Sequence, residues 1–327
     1  MPAEPSSATP SFAIPAISAI LAAPLVFALP GNEAAAGALC AALHPDAALG
    51  EAVVRRFPDG ESYVRAVSAV RGRRVVLVCT LDRPDDKLVP LLLLAAACRD
   101  NGAASVGLVA PYLAYMRQDK AFNAGETISA RHVARWLSDA VDWLVTVDPH
   151  LHRIHRLDEV YSIPGTVVHA ADSIAAWLHA QRDATVLIGP DEESAQWVAD
   201  VAQRAQRPFI VLEKTRRGDR DVSVSVPDVA RWRDHVPVLV DDIISTARTM
   251  IETVRHVRGA GMRAPWCIGV HAVFAQSAYA DLQAAGAAQV ITCDTIAHAS
   301  NGISVVPALA DAARGHLRVA APDAARA

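Results

Sequence analysis

Cysteine is scarce and scattered in this 327-residue chain: five occur, Cys40, Cys79, Cys98, Cys267 and Cys293, and no two form a C-x-x-C pair. That spacing argues against a disulfide framework or a thiolate zinc site, and suits buried thiols in a reducing compartment. An excess of positive charge is also missing. The net charge is −4 and the isoelectric point about 6.3, so the molecule as a whole has no electrostatic case for nucleic acid. No G-x-x-x-x-G-K-[ST] occurs, so nucleotide chemistry of the P-loop type is not expected. Gly259-Ala260-Gly261-Met262-Arg263-Ala264 fits G-x-G-x-x-A in letters, but it is expected to end a helix instead of joining a strand to one. Residues 11–30 carry no charge, yet Pro15, Pro24 and Pro30 break the stretch and the first Lys or Arg is Arg55, so the basic flank of a signal peptide is lacking. A loose tail over 1–22, no membrane span and a cytoplasmic setting are the expectations.

What is present is apolar chain in quantity. Hydrophobic residues make up 52% and charged ones 20%, enough for buried cores, and the length has room for about two domains. Short apolar runs alternate with segments of helical spacing. Leu25–Leu29, Val75–Cys79, Val106–Ala110 and Trp143–Val147 read as buried strands of a first half. Thr185–Gly189, Phe209–Leu212, Val238–Val240, Ile268–Val273, Val290–Cys293 and Ile303–Val306 repeat the pattern in a second half that begins near residue 168. Asp85 and Asp86 are read as caps of a helix through Leu88–Arg99, and Ser129 as the start of another.

Chemistry gathers where strands end. Asp241 and Asp242 close an apolar run, and a hydroxyl-rich turn, Ser245-Thr246-Ala247-Arg248-Thr249, opens a helix whose free N–H groups suit a phosphate. The two acids suit sugar hydroxyls or a metal, or simply cap the helix. Arg56-Phe57-Pro58-Asp59-Gly60-Glu61 reads as a hairpin tip, either plainly solvated or used for its ring and acids. Arg117, Gln118 and Asp119, beside Tyr112 and Tyr115, offer groups suited to a purine nucleotide or a solvated loop. His150 and His152 stand two apart at a strand end, where they could meet a divalent ion or phosphate, and Asp191 is a metal candidate or an ordinary cap. The basic run Lys214-Thr215-Arg216-Arg217-Gly218-Asp219-Arg220 is a solvated turn or a flap that closes on phosphates.

Five ordered motifs together resemble the ribose-phosphate diphosphokinase family: F-P-D-G-E at 57–61, P-Y-L-A-Y-M-R-Q-D-K at 111–120, V-D-P-H at 147–150, G-P-D-E-E-S at 189–194 with E-K-T-R at 213–216, and D-D-I-I-S-T from Asp241. The resemblance runs from about residue 25 to 312, and D-P-H-L-H, P-D-E-E-S and E-K-T-R look most like its archaeal-type branch. It implies an α/β fold of two tandem phosphoribosyltransferase-like, Rossmann-like domains with mainly parallel sheets, spanning 23–167 on the nucleotide side and 168–312 on the sugar side, with a tail over 313–327. It also implies transfer of a diphosphoryl group from ATP to ribose 5-phosphate with Mg²⁺. His150 and Asp191 would stand near the metal, and Lys214, Arg216 and His150 would serve catalysis. Phe57, Asp59, Glu61, Arg117, Gln118 and Asp119 would bind ATP, the hairpin reaching the nucleotide of a neighbouring subunit in a homo-oligomer. Asp241 and Asp242 would hold the ribose hydroxyls, and Ser245, Thr246, Ala247, Arg248 and Thr249 the 5-phosphate loop. The family's loop reads T-G-G-T or T-A-G-T, whereas this chain has Arg248 where glycine is usual. Two rival readings share some of these residues: a transferase that consumes phosphoribosyl pyrophosphate, and a non-catalytic regulatory relative.

Overall fold

The computed structural model describes residues 23–151, 153–189, 192–216, 222–225 and 229–318; of Glu192–Gln196, 213–216, 222–225 and Val229 the backbone alone is described. Two six-stranded parallel sheets carry the molecule. The first has the order β2-β1-β5-β6-β7-β8, formed by β1 (Leu25–Ala28), β2 (Ala48–Leu49), β5 (Arg74–Val78), β6 (Ser105–Ala110), β7 (Trp143–Val147) and β8 (Gly165–Val168). The second, β10-β9-β13-β14-β15-β16, repeats that order with β9 (Thr185–Gly189), β10 (Phe209–Val211), β13 (Val236–Ile243), β14 (Trp266–His271), β15 (Gln289–Cys293) and β16 (Asn301–Ile303). Each half also sends out an antiparallel ribbon between its edge strand and its third strand: β3 (Ala52–Arg56) with β4 (Ser62–Ala66), and β11 (Glu213–Arg216) with β12 (Val222–Ser225). The predicted nucleotide hairpin and the predicted basic flap thus occupy equivalent places in a duplicated topology.

The central strands read Val-Val-Leu-Val, Val-Gly-Leu-Val and Val-Leu-Ile because both sheet faces are covered by helices, so alternation with polar residues would leave groups unsolvated. The helices are α1 (Glu33–Leu43), α2 (Asp85–Asp100), α3 (Ser129–Ala140), α4 (Ala171–His179), α5 (Glu192–Ala205), the short α6 (Val229–Trp232), α7 (Arg248–Gly259), α8 (Ala278–Ala284) and α9 (Val306–Arg318). Close packing at the centre of the first sheet depends on Gly107, where an added Cβ would lie 1.9 Å from Trp143 Cε2. Trp143 in turn stacks on His316 with ring centroids 4.9 Å apart, and His316 Nε2 lies 2.9 Å from Thr166 Oγ1. Through these residues and the bond from Arg314 to the Ala42 carbonyl, α9 crosses back from the second half onto α1, β7 and β8.

Three local expectations need correction. Asp85 and Asp86 do not cap α2: Pro84 precedes the helix, no side-chain cap bond forms, and the acids occupy the first turn, where the helix dipole favours them. The cap reading of Asp241 and Asp242 also fails, because β13 runs on to Ile243 and leaves both acids in the strand, ahead of the turn. The last strand is Asn301–Ile303, not Ile303–Val306, because α9 begins at Val306 with Pro307 in its first turn. No helix among the described residues is long and apolar enough to cross a membrane.

Candidate active site

The two sheets present the C-terminal ends of β7 and β13 to each other, and the turn after β7 is where they meet. Asp148 and His150 both take left-handed backbone angles, φ 31° and 50°, which side-chain-bearing residues rarely adopt without external support. The support is visible. The Asp148 carboxylate accepts the Ala170 N–H at 2.8 Å and faces His169 Nδ1 at 2.9 Å, while its carbonyl accepts the His150 N–H at 2.9 Å. From the second half, His150 Nδ1 meets Asp242 Oδ2 at 2.7 Å, and the Asp242 N–H bonds back to Asp241 Oδ1 at 3.0 Å. The Asp242 carboxyl is half-buried, and desolvation opposes its charge, but the hydrogen bond and charge of His150, the bond from Asp241 and the nearby His271 together outweigh this and hold it below the usual carboxylate range.

A polar seam runs beside this pair between the halves. His271, fully buried, directs Nε2 to the Asp148 carbonyl at 3.2 Å and Nδ1 to Thr295 Oγ1 at 2.9 Å. The Thr80 hydroxyl donates to the Thr295 carbonyl at 2.6 Å, and the Thr80 N–H donates to Asn32 Oδ1 at 2.7 Å. Burial pushes His271 below the ordinary histidine value. The Tyr112 ring packs edge-on to His271 at 4.9 Å, and burial, with Asp242 and Asp82 nearby against an opposing Arg117, raises its hydroxyl pKa. Tyr112 therefore stands within electrostatic reach of both the predicted nucleotide loop and the predicted sugar loop.

The predicted nucleotide loop is tied down by side-chain bonds. Ser129 Oγ donates to Gln118 Oε1 at 2.7 Å, and the Arg153 guanidinium and N–H engage the Asp119 carboxylate at 3.1 and 3.2 Å. Burial opposes the Asp119 charge, but the Arg153 bonds hold its pKa low. Arg117 is exposed. The hairpin tip stands apart: Arg55 lies over the rings of Phe57 and Tyr63 at 4.6 and 4.3 Å, and Glu61 N–H bonds Asp59 Oδ1 at 3.2 Å. The described contacts of Phe57, Asp59 and Glu61 stay inside the hairpin, and Phe57 remains 39% exposed.

The backbone of the predicted sugar-phosphate loop accommodates Arg248. The left-handed residue is Ala247, φ 56° and ψ 11°, immediately before α7. Arg248 is the first residue of that helix and is absent from the described positive-φ residues, so its backbone does not call for glycine. Its exposed side chain lies along the flank of α7, lining a groove with Ile251, Glu252 and Arg255, with Asp281 and Ala284 of α8, and with Ala285 just beyond it. The loop is held from behind by Ser245 and Ile244 carbonyls, which accept the N–H groups of Ala275 and Phe274 at 3.0 and 2.8 Å.

The structure thus joins His150 to Asp242 and sets the nucleotide loop beside them. The side chains of Lys214 and Arg216 on β11, and His152, Asp191, Arg217 and Arg220 altogether, lie outside the described residues. Among the described residues no three His, Cys, Asp or Glu side chains form a metal cage. One imidazole with Asp241 and Asp242 alongside fits instead a Mg²⁺ ion held mainly by substrate phosphates and water. His271, Thr295, Thr80 and Arg153 were missed by sequence reasoning. The one available signal was His271 itself, an ionisable residue inside an otherwise apolar strand.

Two parallel-sheet domains with acids at a strand end ahead of a phosphate-type loop define a duplicated phosphoribosyltransferase-type protein. Comparison with known proteins agrees: residues 25–140 match the N-terminal domain of ribose phosphate pyrophosphokinase, and residues 157–309 match the phosphoribosyl transferase domain. The chain belongs to the ribose-phosphate pyrophosphokinase family. It is 35% identical to the ribose-phosphate pyrophosphokinase of Methanopyrus kandleri over 82% of this chain and 91% of that one. With the Halobacterium salinarum ribose-phosphate pyrophosphokinase it shares 34% identity over 81% and 92% of the two chains. The crystal structure of phosphoribosylpyrophosphate synthetase from Mycobacterium smegmatis superposes with a TM-score of 0.77 at 25% identity, covering 90% of this chain and 98% of that one. The archaeal sources of the first two relatives accord with the archaeal-type motifs.

Proposed function

We propose that this protein transfers the β,γ-diphosphoryl group of ATP to the C1 hydroxyl of ribose 5-phosphate, giving phosphoribosyl pyrophosphate and AMP. The observation that carries this reading is the 2.7 Å pairing of His150, from the nucleotide half, with Asp242, from the sugar half. It supports the reading by bringing a residue of the predicted nucleotide side within hydrogen-bond distance of a residue of the predicted sugar side. A plain phosphoribosyltransferase needs no second half of this kind, and a regulatory relative has no chemical need for the pair. The nucleotide side is 23–167 and the sugar side 168–312.

The C1 oxygen attacks the β-phosphorus in line, the bond from that phosphorus to the oxygen bridging to the α-phosphorus breaks, AMP leaves with that oxygen, and the C1 hydroxyl proton is released. Gathered negative oxygens make positioning and charge neutralisation the main tasks. Arg117 and Gln118 hold the nucleotide, with Asp119 fixing the loop through Arg153. Asp241 and Asp242 accept hydrogen bonds from the ribose 2- and 3-hydroxyls. Ser245, Thr246 and Thr249 hydroxyls and the N–H groups that open α7, that of Arg248 first among them, surround the 5-phosphate, with Ala247 turning the backbone. Lys214 and Arg216 on the β11–β12 ribbon meet charge as it develops on the transferred group. His150 and Asp191 would hold Mg²⁺ together with substrate phosphates, and the ion would supply charge neutralisation there.

The exposed Phe57 ring and the acids Asp59 and Glu61 support a homo-oligomer in which this tip covers the adenine of a neighbouring copy. The scattered, buried cysteines support a reducing, cytoplasmic setting. The test is to incubate pure protein with ATP, Mg²⁺ and ribose 5-phosphate and follow products by phosphorus NMR. AMP with phosphoribosyl pyrophosphate is expected. Consumption of phosphoribosyl pyrophosphate with a free base would favour the transferase, and no turnover would refute catalysis.

A further inference from the structure

The turn that carries His150 belongs to the first half but is gripped at both ends by the second. At one end Asp242 on β13 meets His150; at the other, His271 on β14 meets the Asp148 carbonyl. The two gripping residues sit on neighbouring strands, with Ile243 in register opposite His271. Between the grips lie the two left-handed residues, Asp148 and His150, a conformation that needs outside restraint to persist. We propose that His271 is a positioning residue for the transfer reaction: it locks the Asp148–His150 turn of the nucleotide half to the sugar half and so sets the His150 imidazole over the Asp242 side of the site.

The chemistry of His271 suits a strut and not a proton carrier. It is 0% exposed, so burial favours the neutral ring. A carbonyl can only accept, so Nε2 must carry the proton that goes to Asp148 O. Thr295 Oγ1 lies 2.9 Å from Nδ1 and 2.8 Å from the Val270 carbonyl, so its one hydroxyl proton is shared between these two acceptors. Thr295 is itself tied to the nucleotide half, because its carbonyl accepts the Thr80 hydroxyl at 2.6 Å. Tyr112, which opens the nucleotide loop, closes over the ring at 4.9 Å. One imidazole therefore touches the metal-side turn, the nucleotide-loop base and a threonine that crosses between halves. It reaches no position at which substrate atoms would be in contact.

This proposal rests on the reading of His150 given above, and the experiment separates the two. His271→Ala, His271→Gln and Thr295→Val are compared with His150→Ala and with Val270→Ala, which trims a buried apolar side chain next to His271 on the same strand and keeps the Val270 carbonyl that accepts the Thr295 hydroxyl. His271→Ala is expected to lower kcat by about a hundredfold, the order seen when a reacting group is misplaced by about 1 Å. KM for both substrates should stay within about threefold, since substrate contacts are intact. His271→Gln, which keeps a donor at the Nε2 position, should recover most of kcat, and Thr295→Val should show a milder loss of the same kind. Independently of turnover, the nitrogen-15 imidazole signals of His150, assigned by their loss in a His150 variant, should shift or broaden in His271→Ala and return in His271→Gln. Unchanged His150 signals, or an equal kcat loss in Val270→Ala, would overturn the positioning role. A fully active His271→Ala beside an inactive His150→Ala would overturn it alone, whereas a fully active His150→Ala would remove the premise and with it the proposal.

Discussion

Glycine introduced at position 247 and glycine introduced at position 248 are predicted to have opposite effects on stability, although both restore letters found in related loops. Ala247 is left-handed at φ 56°, and a Cβ in that region costs about 1–2 kcal/mol. Ala247→Gly removes that strain but adds about 0.4–1 kcal/mol of chain entropy to the unfolded state, so the net gain is roughly 0–1.6 kcal/mol. Arg248 is an ordinary first-turn helical residue, so Arg248→Gly relieves nothing and loses up to about 1 kcal/mol of helix propensity. The two variants should therefore differ by about 1–2 kcal/mol in favour of Ala247→Gly. Urea denaturation followed by tryptophan fluorescence suits the measurement, because Trp177, Trp197, Trp232 and Trp266, four of the six tryptophans, lie in the second half. The midpoints should move in opposite directions without a change in slope. A stabilising Arg248→Gly, or an Ala247→Gly that destabilises by more than about 1 kcal/mol, would mean that the loop turns at a different residue and would undo the explanation of the unusual arginine.

Lys214→Ala should lower kcat by about a hundredfold or more while KM changes little, because its charge serves the transition state; steady-state kinetics with only KM altered would reassign it to substrate binding. Gly107→Ala should destabilise by at least about 2 kcal/mol, since the new Cβ would sit 1.9 Å from Trp143 Cε2 and the ring is already stacked on His316; a near-neutral urea midpoint would contradict that packing. The His169 pKa is raised, chiefly by its hydrogen bond to Asp148. A raised value means the pair's contribution is fully present below the ordinary histidine pKa of about 6.5 and is lost as pH rises through the folded value. His169 is 65% exposed, so solvent screening limits the effect to under about 1 kcal/mol, and the stability gap between wild type and His169→Gln should close on the alkaline side; a gap that widens there would reverse the sign. The archaeal-type motifs predict turnover with ATP without strong inhibition by ADP away from the active site, and ADP inhibition that is noncompetitive with ATP in initial-rate assays would count against it.

Much of the fold is legible in the residues because parallel strands buried on both faces must be apolar throughout. Trp143–Val147 and Thr185–Gly189 stand where their runs predict, and α3 starts at Ser129 as expected. The duplicated strand order is less visible, since β2 and β10 are edge strands of two and three residues whose pairing depends on contacts across the sheet. Local motifs flagged the site's acids and His150, because each combines a strand end with a polar turn. The seam that holds them could not be read that way. His271 and Asp148 are 123 residues apart, and Thr80 and Thr295 are 215 apart, so their meeting is a product of the tertiary fold. Arg248 illustrates the converse: its letter conflicts with the usual loop, yet the backbone puts the demanding conformation one residue earlier.

The central claim is that a diphosphoryl group, not a single phosphoryl group, leaves ATP for the sugar. ATP labelled with phosphorus-32 at the β position tests it directly in the presence of Mg²⁺ and ribose 5-phosphate. The account predicts ribose 5-phosphate-dependent movement of the label into a sugar diphosphate that charcoal does not adsorb, leaving unlabelled AMP. Label retained on the nucleotide as ADP would contradict it.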